Sequence, residues 1–309
     1  MNTVKIFSGS ASLYLSKKIA DVYGTKMGSL TLQRFSDGEI APYINESIRG
    51  YDVFLVQSTF PPAENILELL LMIDAAKRAS ANTITVMLPY FGYARQDRKD
   101  KPRVAIGAKT IADLLSTAGA TRVVTCDLHA GQIQGFFNIP VDHLQSSAVF
   151  VPYLKSLDID NILFASPDVG SVGRVRSFAT HFNADMVICD KQRKRANEVA
   201  SMQIIGDVKD RNVVLIDDLV DTAGTLCRAA ETIMDKGAKS VCAVCTHPVL
   251  SGNAYERLEE SALAEIAVTD TIPLRGSCTK IKVLSVADLF AKAIRKIHDR
   301  ESISSLFIH

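Results

Sequence analysis

Short β-branched apolar runs alternate along the chain with longer stretches in which apolar positions recur at helical spacing. The strand-like runs are Val53–Gln57, Thr83–Leu88, Val123–Cys126, Ile162–Ser166, Met186–Cys189, Val213–Ile216, Ser240–Cys245 and Glu265–Val268. Helical patterns fall between them at Glu64–Ser80, Ile106–Thr117, Thr225–Lys236 and Val286–Arg300. Pro61-Pro62 stops the strand before the first of these helices, and Gly119 is placed to cap the second at its C-terminus. Strands alternating with helices in this way predict parallel α/β layers.

One internal echo points to two related halves. Ala118–His129 reads AGATRVVTCDLH and Lys236–His247 reads KGAKSVCAVCTH. In both, Gly-Ala closes a helix, a strand follows, and a histidine stands at the same offset. With 309 residues the chain is too long for one ordinary core and suits two α/β domains, the boundary falling near Gln145–Val149.

Charge narrows the partners. The 35 Lys+Arg and 34 Asp+Glu residues nearly cancel, so the basic surplus of a nucleic-acid binder is missing. No apolar run approaches the roughly 18 residues that span a bilayer; the longest candidate, Ile66–Ala76, is broken by Glu68 and Asp74. The opening MNTVKIFSGSASLYL lacks the pattern of a signal peptide, and the cysteines sit mostly inside apolar strands. Both features lead to the expectation of a reduced, cytoplasmic setting without nucleic-acid or membrane partners. Cys242 and Cys245 form a CxxC, but positions three apart on a strand face opposite sides, which spoils chelation.

Val213–Leu226, VVLIDDLVDTAGTL, carries the most chemistry. An apolar strand runs into Asp217-Asp218, a turn holds Asp221, and Thr222-Ala223-Gly224-Thr225 opens a helix. Ligands of open α/β sheets bind at the carboxyl ends of strands, and a small-residue turn at a helix N-terminus offers backbone N–H groups to a phosphate. Two carboxylates beside it can accept from the vicinal hydroxyls of a sugar, so the pattern describes a sugar-phosphate cradle. The plain alternative is a strand–turn–helix with Asp caps.

This segment resembles the ribose-phosphate loop of type I phosphoribosyltransferases. RFSDGE (Arg34–Glu39), YFGYARQDRK (Tyr90–Lys99), DLHAGQIQGFF (Asp127–Phe137), SPD (Ser166–Asp168) and THPVLSG (Thr246–Gly252) resemble, in order and over essentially the whole chain, the ribose-phosphate pyrophosphokinases. That resemblance implies an α/β fold of two similar phosphoribosyltransferase-like domains, each a mainly parallel sheet flanked by helices. Residues 1–145 would carry the ATP motifs, with the closing helix 286–309 completing that domain, and residues 146–285 would carry the ribose 5-phosphate loop and a basic catalytic loop.

By the same resemblance, Phe35, Asp37, Gly38, Glu39, Arg95 and Gln96 bind ATP, and Arg193, Asp217, Asp218, Asp221, Thr222, Ala223, Gly224 and Thr225 bind ribose 5-phosphate. His129 and Asp168 bear on Mg²⁺, while Lys191 and Arg193 are catalytic. The residue types suit these tasks. Phe35 offers a ring face to adenine, Arg95 can reach phosphate oxygens, and the basic turn Asp190–Asn197 can neutralise a transferring phosphoryl group. No Walker A is present, since GAKT at Gly107–Thr110 lacks the adjacent Gly-Lys.

The implied activity moves the β,γ-diphosphate of ATP to C1 of ribose 5-phosphate, in a homo-oligomer that is commonly hexameric. The chain departs from the family wording at Ser171, where a second glycine is usual, at Lys194 and Ala196 in the basic loop, and in DKPRVAIGA after RQDRK. Two rivals share parts of the pattern. A transferase consuming phosphoribosyl diphosphate would not need the FSDGE and RQD motifs. A non-catalytic associated subunit would be expected to have lost Lys191, Arg193, His129 or Asp168, and all four are present.

Overall fold

The computed structural model describes residues 3–192 and 201–308, which form two compact α/β units. One unit comprises residues 1–145 together with 286–308, the other residues 146–285.

The first unit is built on a five-stranded, wholly parallel sheet. Its strands are β1 (Val4–Ser8), β4 (Asp52–Val56), β5 (Thr83–Leu88), β6 (Arg122–Cys126) and β7 (Val141–Leu144), in that spatial order. A separate antiparallel hairpin pairs β2 (Leu30–Arg34) with β3 (Ile40–Ile44). Helices α1 (Leu13–Tyr23), α2 (Glu64–Arg78) and α3 (Gly107–Ala118) connect strands, as parallel pairing requires. Val53, Phe54, Leu55 and Val56, with Val86, Met87 and Leu88 and with Val123 and Val124, are all buried, the continuous apolar signature of a sheet covered on both faces.

The second unit opens with α4 (Ser147–Ser156). It carries a seven-stranded sheet of β8 (Ile162–Ser166), β9 (Met186–Gln192), β10 (Ser201–Ile205), β11 (Asn212–Val220), β12 (Ser240–Pro248), β13 (Ile266–Thr269) and β14 (Ile281–Leu284). The spatial order is β10-β9-β8-β11-β12-β13-β14, with only the β10 edge antiparallel. Helices α5 (Val172–Phe182), α6 (Gly224–Asp235) and α7 (Ala254–Glu260) flank it. From β8 the chain winds outward to β9, then returns to lay β11 on the other side of β8 and winds the opposite way. The carboxyl ends of β8 and β11 therefore flank a topological switch point, where open α/β sheets bind their ligands.

Helix α8 (Ala287–His298) belongs to the first unit and packs on α1. It buries Leu289, Phe290, Ala293 and Ile294. Arg295 donates to the Tyr23 carbonyl at 2.9 Å, and His298 Nδ1 lies 3.3 Å from Asp52 Oδ2.

The echo between the halves has a local structural basis. Gly119 and Gly237 both sit at positive φ at the ends of α3 and α6. In each case the following alanine N–H reaches back into the last turn, Ala120 to Leu115 and Ala238 to Ile233. The histidines diverge. His129 stands exposed beyond β6, whereas His247 lies inside β12, buried, with Nδ1 2.9 Å from Thr271 Oγ1. All six cysteines are free thiols; burial pushes Cys189 up to about 11, Cys242 up to about 12 and Cys245 well above its ordinary value. Among the described residues no helix is long and apolar enough to cross a membrane.

Candidate active site

The loop after β11 is the best-defined part of the site. The apolar run stops at Ile216, but the strand does not: β11 stays paired with β12 through Val220, opposite Pro248. Asp217 and Asp218 therefore lie inside the strand rather than at its end. The turn proper is Asp221–Ala223. Ala223 sits at φ +60°, a left-handed position a non-glycine residue adopts only under constraint, and α6 begins at Gly224. The first turn of α6 thus faces this loop with backbone N–H groups lacking helical partners.

Two side chains from the following segment brace the turn. Ser251 Oγ donates to Asp221 Oδ1 while the Ser251 amide donates to the Asp221 carbonyl at 3.0 Å. Arg257 Nη1 donates to the Thr222 carbonyl at 3.0 Å. Thr222 is exposed, and Asp221, Gly224 and Thr225 are partly so, which leaves the loop open to a ligand.

The acidic residues gather at the switch point. Asp217 Oδ1 accepts from Ser171 Oγ at 2.8 Å and from the Asp218 amide at 2.9 Å. Asp218 is 4% exposed, with Arg174 Nη1 3.8 Å from its Oδ1. Asp168, exposed just past β8, accepts the Ser171 amide at 3.0 Å through Oδ1. Burial, then the negative charge of Asp218, raise the affinity of Asp217 for its proton; Asp168 adds to this and the Ser171 hydroxyl opposes it. A site that strains to keep a carboxylate ionised is prepared for a partner that relieves the crowding, such as sugar hydroxyls or a cation.

In the first unit, the predicted nucleotide residues fall on two features. Phe35–Glu39 forms the tip of the β2–β3 hairpin, closed by bonds from the Phe35 amide to the Glu39 carbonyl and from the Gly38 amide to the Phe35 carbonyl, both 2.9 Å. Gly38 has φ +99°, and the Glu39 amide donates to Asp37 Oδ1 at 3.1 Å. The Phe35 ring is 51% exposed, an unusual position for a large apolar side chain and one open to stacking.

Arg95 and Gln96 follow β5, and His129 follows β6. Parallel pairing of those strands puts both loops at one sheet edge. Gln132 donates to Asp97 at 3.3 Å and the rings of Phe91 and Phe137 pack at 5.7 Å, joining the two loops. The structure thus brings Arg95, Gln96 and His129 to one edge and carries Phe35, Asp37, Gly38 and Glu39 on the hairpin.

Lys191 lies near the end of β9, its backbone opposite Met202 of β10. Arg193 lies outside the described residues, as do Lys194 and Ala196. Among the described residues no three His, Cys, Asp or Glu side chains cluster as a complete metal site. The donors at the switch point are oxygens with excess negative charge. Such a set fits a hard divalent cation held by one or two carboxylates, with water and phosphate filling the remaining positions.

Sequence reasoning did not assign Ser171, Arg174, Ser251 or Arg257 to the site. Each acts on a residue at least 30 positions away in the chain, so spacing gives no signal. The one clue was that Ser171 replaces a usual glycine.

Comparison with known proteins agrees with this geometry. Residues 4–119 match the N-terminal domain of ribose phosphate pyrophosphokinase, and residues 174–308 match the phosphoribosyl synthetase-associated domain. The chain is 56% identical over 307 residues to the ribose-phosphate pyrophosphokinase of Porphyromonas gingivalis, covering 99% of this chain and 98% of that one. It is 54% identical to that of Campylobacter jejuni over the full length of both. Among solved structures, the phosphoribosylpyrophosphate synthetase of Mycobacterium smegmatis is similar at 37% identity with a TM-score of 0.91, covering 97% of this chain and all of that one.

Proposed function

The chain belongs to the ribose-phosphate pyrophosphokinases, and we infer from the family and the switch-point geometry how its residues serve that activity. It is an enzyme that transfers the β,γ-diphosphate of ATP to the C1 hydroxyl of ribose 5-phosphate, yielding 5-phosphoribosyl 1-diphosphate and AMP. The observation that carries the assignment of residues is the pairing of a carboxylate cluster with an open helix N-terminus at the β8/β11 switch point.

Ribose 5-phosphate enters with its phosphate on the Asp221–Thr225 loop. The amides at the start of α6 and the hydroxyls of Thr222 and Thr225 hold the phosphate, favoured by the helix dipole. Asp217 and Asp218 accept from the sugar hydroxyls, which fixes the ring and points C1 outward. Phe35 stacks on adenine, Asp37 and Glu39 accept from its amino group, Gly38 permits the tight hairpin tip, and Arg95 with Gln96 holds the phosphate chain.

The C1 hydroxyl attacks the β-phosphorus. A bond forms between the C1 oxygen and Pβ, the bond from Pβ to the α–β bridging oxygen breaks, and AMP leaves with that oxygen. The hydroxyl proton passes to solvent or a phosphate oxygen, since a loose transition state asks little of a general base. Lys191 and Arg193 neutralise charge developing on the transferring group. In the second unit Asp168 would hold Mg²⁺, which would supply charge neutralisation on the phosphate oxygens, and in the first unit His129 would act through water or on phosphate.

The assembly is a homo-oligomer, a hexamer by family resemblance, working in the cytoplasm, where its buried thiols stay reduced. AMP release from Mg·ATP, followed with and without ribose 5-phosphate, tests the reading. AMP that appears only with the sugar supports it; well-folded protein giving no sugar-dependent AMP would point to a regulatory subunit.

A further inference from the structure

Ser171 stands immediately before α5, the position where serine ordinarily accepts a hydrogen bond from a backbone amide in the first turn of the helix. It makes no such cap. Its hydroxyl donates instead to Asp217 Oδ1 at 2.8 Å, and its amide donates to Asp168 Oδ1 at 3.0 Å. One residue therefore ties together a carboxylate just past β8 and one inside β11. At φ −87° and ψ −2° the backbone is ordinary for any residue, so the turn makes no demand for glycine. The side chain is 5% exposed, which shields the bond from water.

We propose that Ser171 is a positioning residue for ribose 5-phosphate, fixing the rotamer of Asp217 so that this carboxylate meets the sugar hydroxyls. The proposal rests on the reading of Asp217 as a sugar ligand. The Asp217 carboxyl sits against two like charges, Asp218 and Asp168. Without a donor on Oδ1 beyond the Asp218 amide, repulsion favours rotation of the carboxyl away from its neighbours, and the sugar must then be bound by a group it has first to reorient. The same hydroxyl leaves the nucleotide residues untouched, since these belong to other elements. The expected signature is a selective loss of affinity for the sugar.

The test uses the full-length enzyme with Ser171→Ala, Ser171→Gly, Ser171→Thr and Asp217→Ala, varying each substrate in turn. Losing one charge-assisted hydrogen bond predicts a KM for ribose 5-phosphate raised about tenfold in both the Ala and Gly variants. KM for ATP should stay within about twofold, and Ser171→Thr, which keeps the hydroxyl, should recover most of the loss. Calorimetric titration of ribose 5-phosphate should show the same pattern without turnover.

An unchanged sugar KM in the Ala and Gly variants, alongside a large rise in Asp217→Ala, overturns the role of Ser171 and leaves the ribose site standing. An unchanged sugar KM in Asp217→Ala overturns the ribose reading and this inference with it. Equal loss for both substrates that threonine does not rescue marks a purely structural bond and also overturns the proposal.

Discussion

Asp217→Asn should make the ligand-free enzyme more stable while destroying its use of the sugar. The folded chain holds the Asp217 proton with a pKa of about 7, against an ordinary value of 3.8, because burial and the charge of Asp218 oppose ionisation. Each pH unit of difference corresponds to about 1.4 kcal/mol, so an ionised Asp217 costs the fold up to about 4 kcal/mol. Asp217 is only half-buried, and solvent screening with carboxyl rotation bring the expected cost to about 1–2 kcal/mol.

The sign follows from the raised value. Below about pH 4 the acid is protonated whether the chain is folded or not, and it costs nothing. Between pH 4 and 7 the unfolded chain ionises first, so stability falls as pH rises, and above 7 the full penalty stands. The amide of Asn carries no charge at any of these values. Thermal unfolding at pH 8 should therefore place the variant about 2–8 °C above the parent, the gap shrinking toward pH 5. Ribose 5-phosphate should raise the melting temperature of the parent and leave the variant nearly unmoved. A variant less stable than the parent at pH 8, or a gap that widens toward pH 5, would refute the reasoning about crowded carboxylates.

Three further outcomes follow. Lys191→Ala should cut turnover by about a thousandfold, measured as AMP release, while calorimetry finds ribose 5-phosphate affinity within about threefold of the parent. Phe35→Ala removes the exposed ring from the hairpin tip; KM for ATP should rise about tenfold with KM for the sugar unchanged in steady-state assays. Phe290→Ala opens a hole where α8 meets the first unit, in a residue with no exposure, and should cost about 3–5 kcal/mol in denaturant unfolding.

The legible parts of this protein are those where one local signal suffices. The runs Thr83–Leu88 and Ile162–Ser166 coincide with β5 and β8, because buried parallel strands are unbroken apolar segments with turns at both ends. The run Val213–Ile216 understated β11, since hydrogen bonding to β12 carries the backbone on through Asp217 and Asp218, where side-chain polarity hides the strand. Strands β2, β3 and β14 were missed because none of their residues is buried, and pairing with a neighbour makes them strands. At the site, Asp217–Thr225 was readable as a strand end followed by a small-residue turn. The donors that shape it were not, because Ser171 meets Asp217 across 46 positions and Arg257 meets Thr222 across 35, a closeness that only the order of strands creates.

The claim that the C1 hydroxyl attacks the β-phosphorus is tested most directly by phosphorus NMR of the products formed from Mg·ATP and ribose 5-phosphate. The account predicts AMP together with a sugar 1-diphosphate, in equal amounts and only when both substrates are present. ADP with a sugar 1-phosphate would place the attack on the γ-phosphorus instead and contradict it.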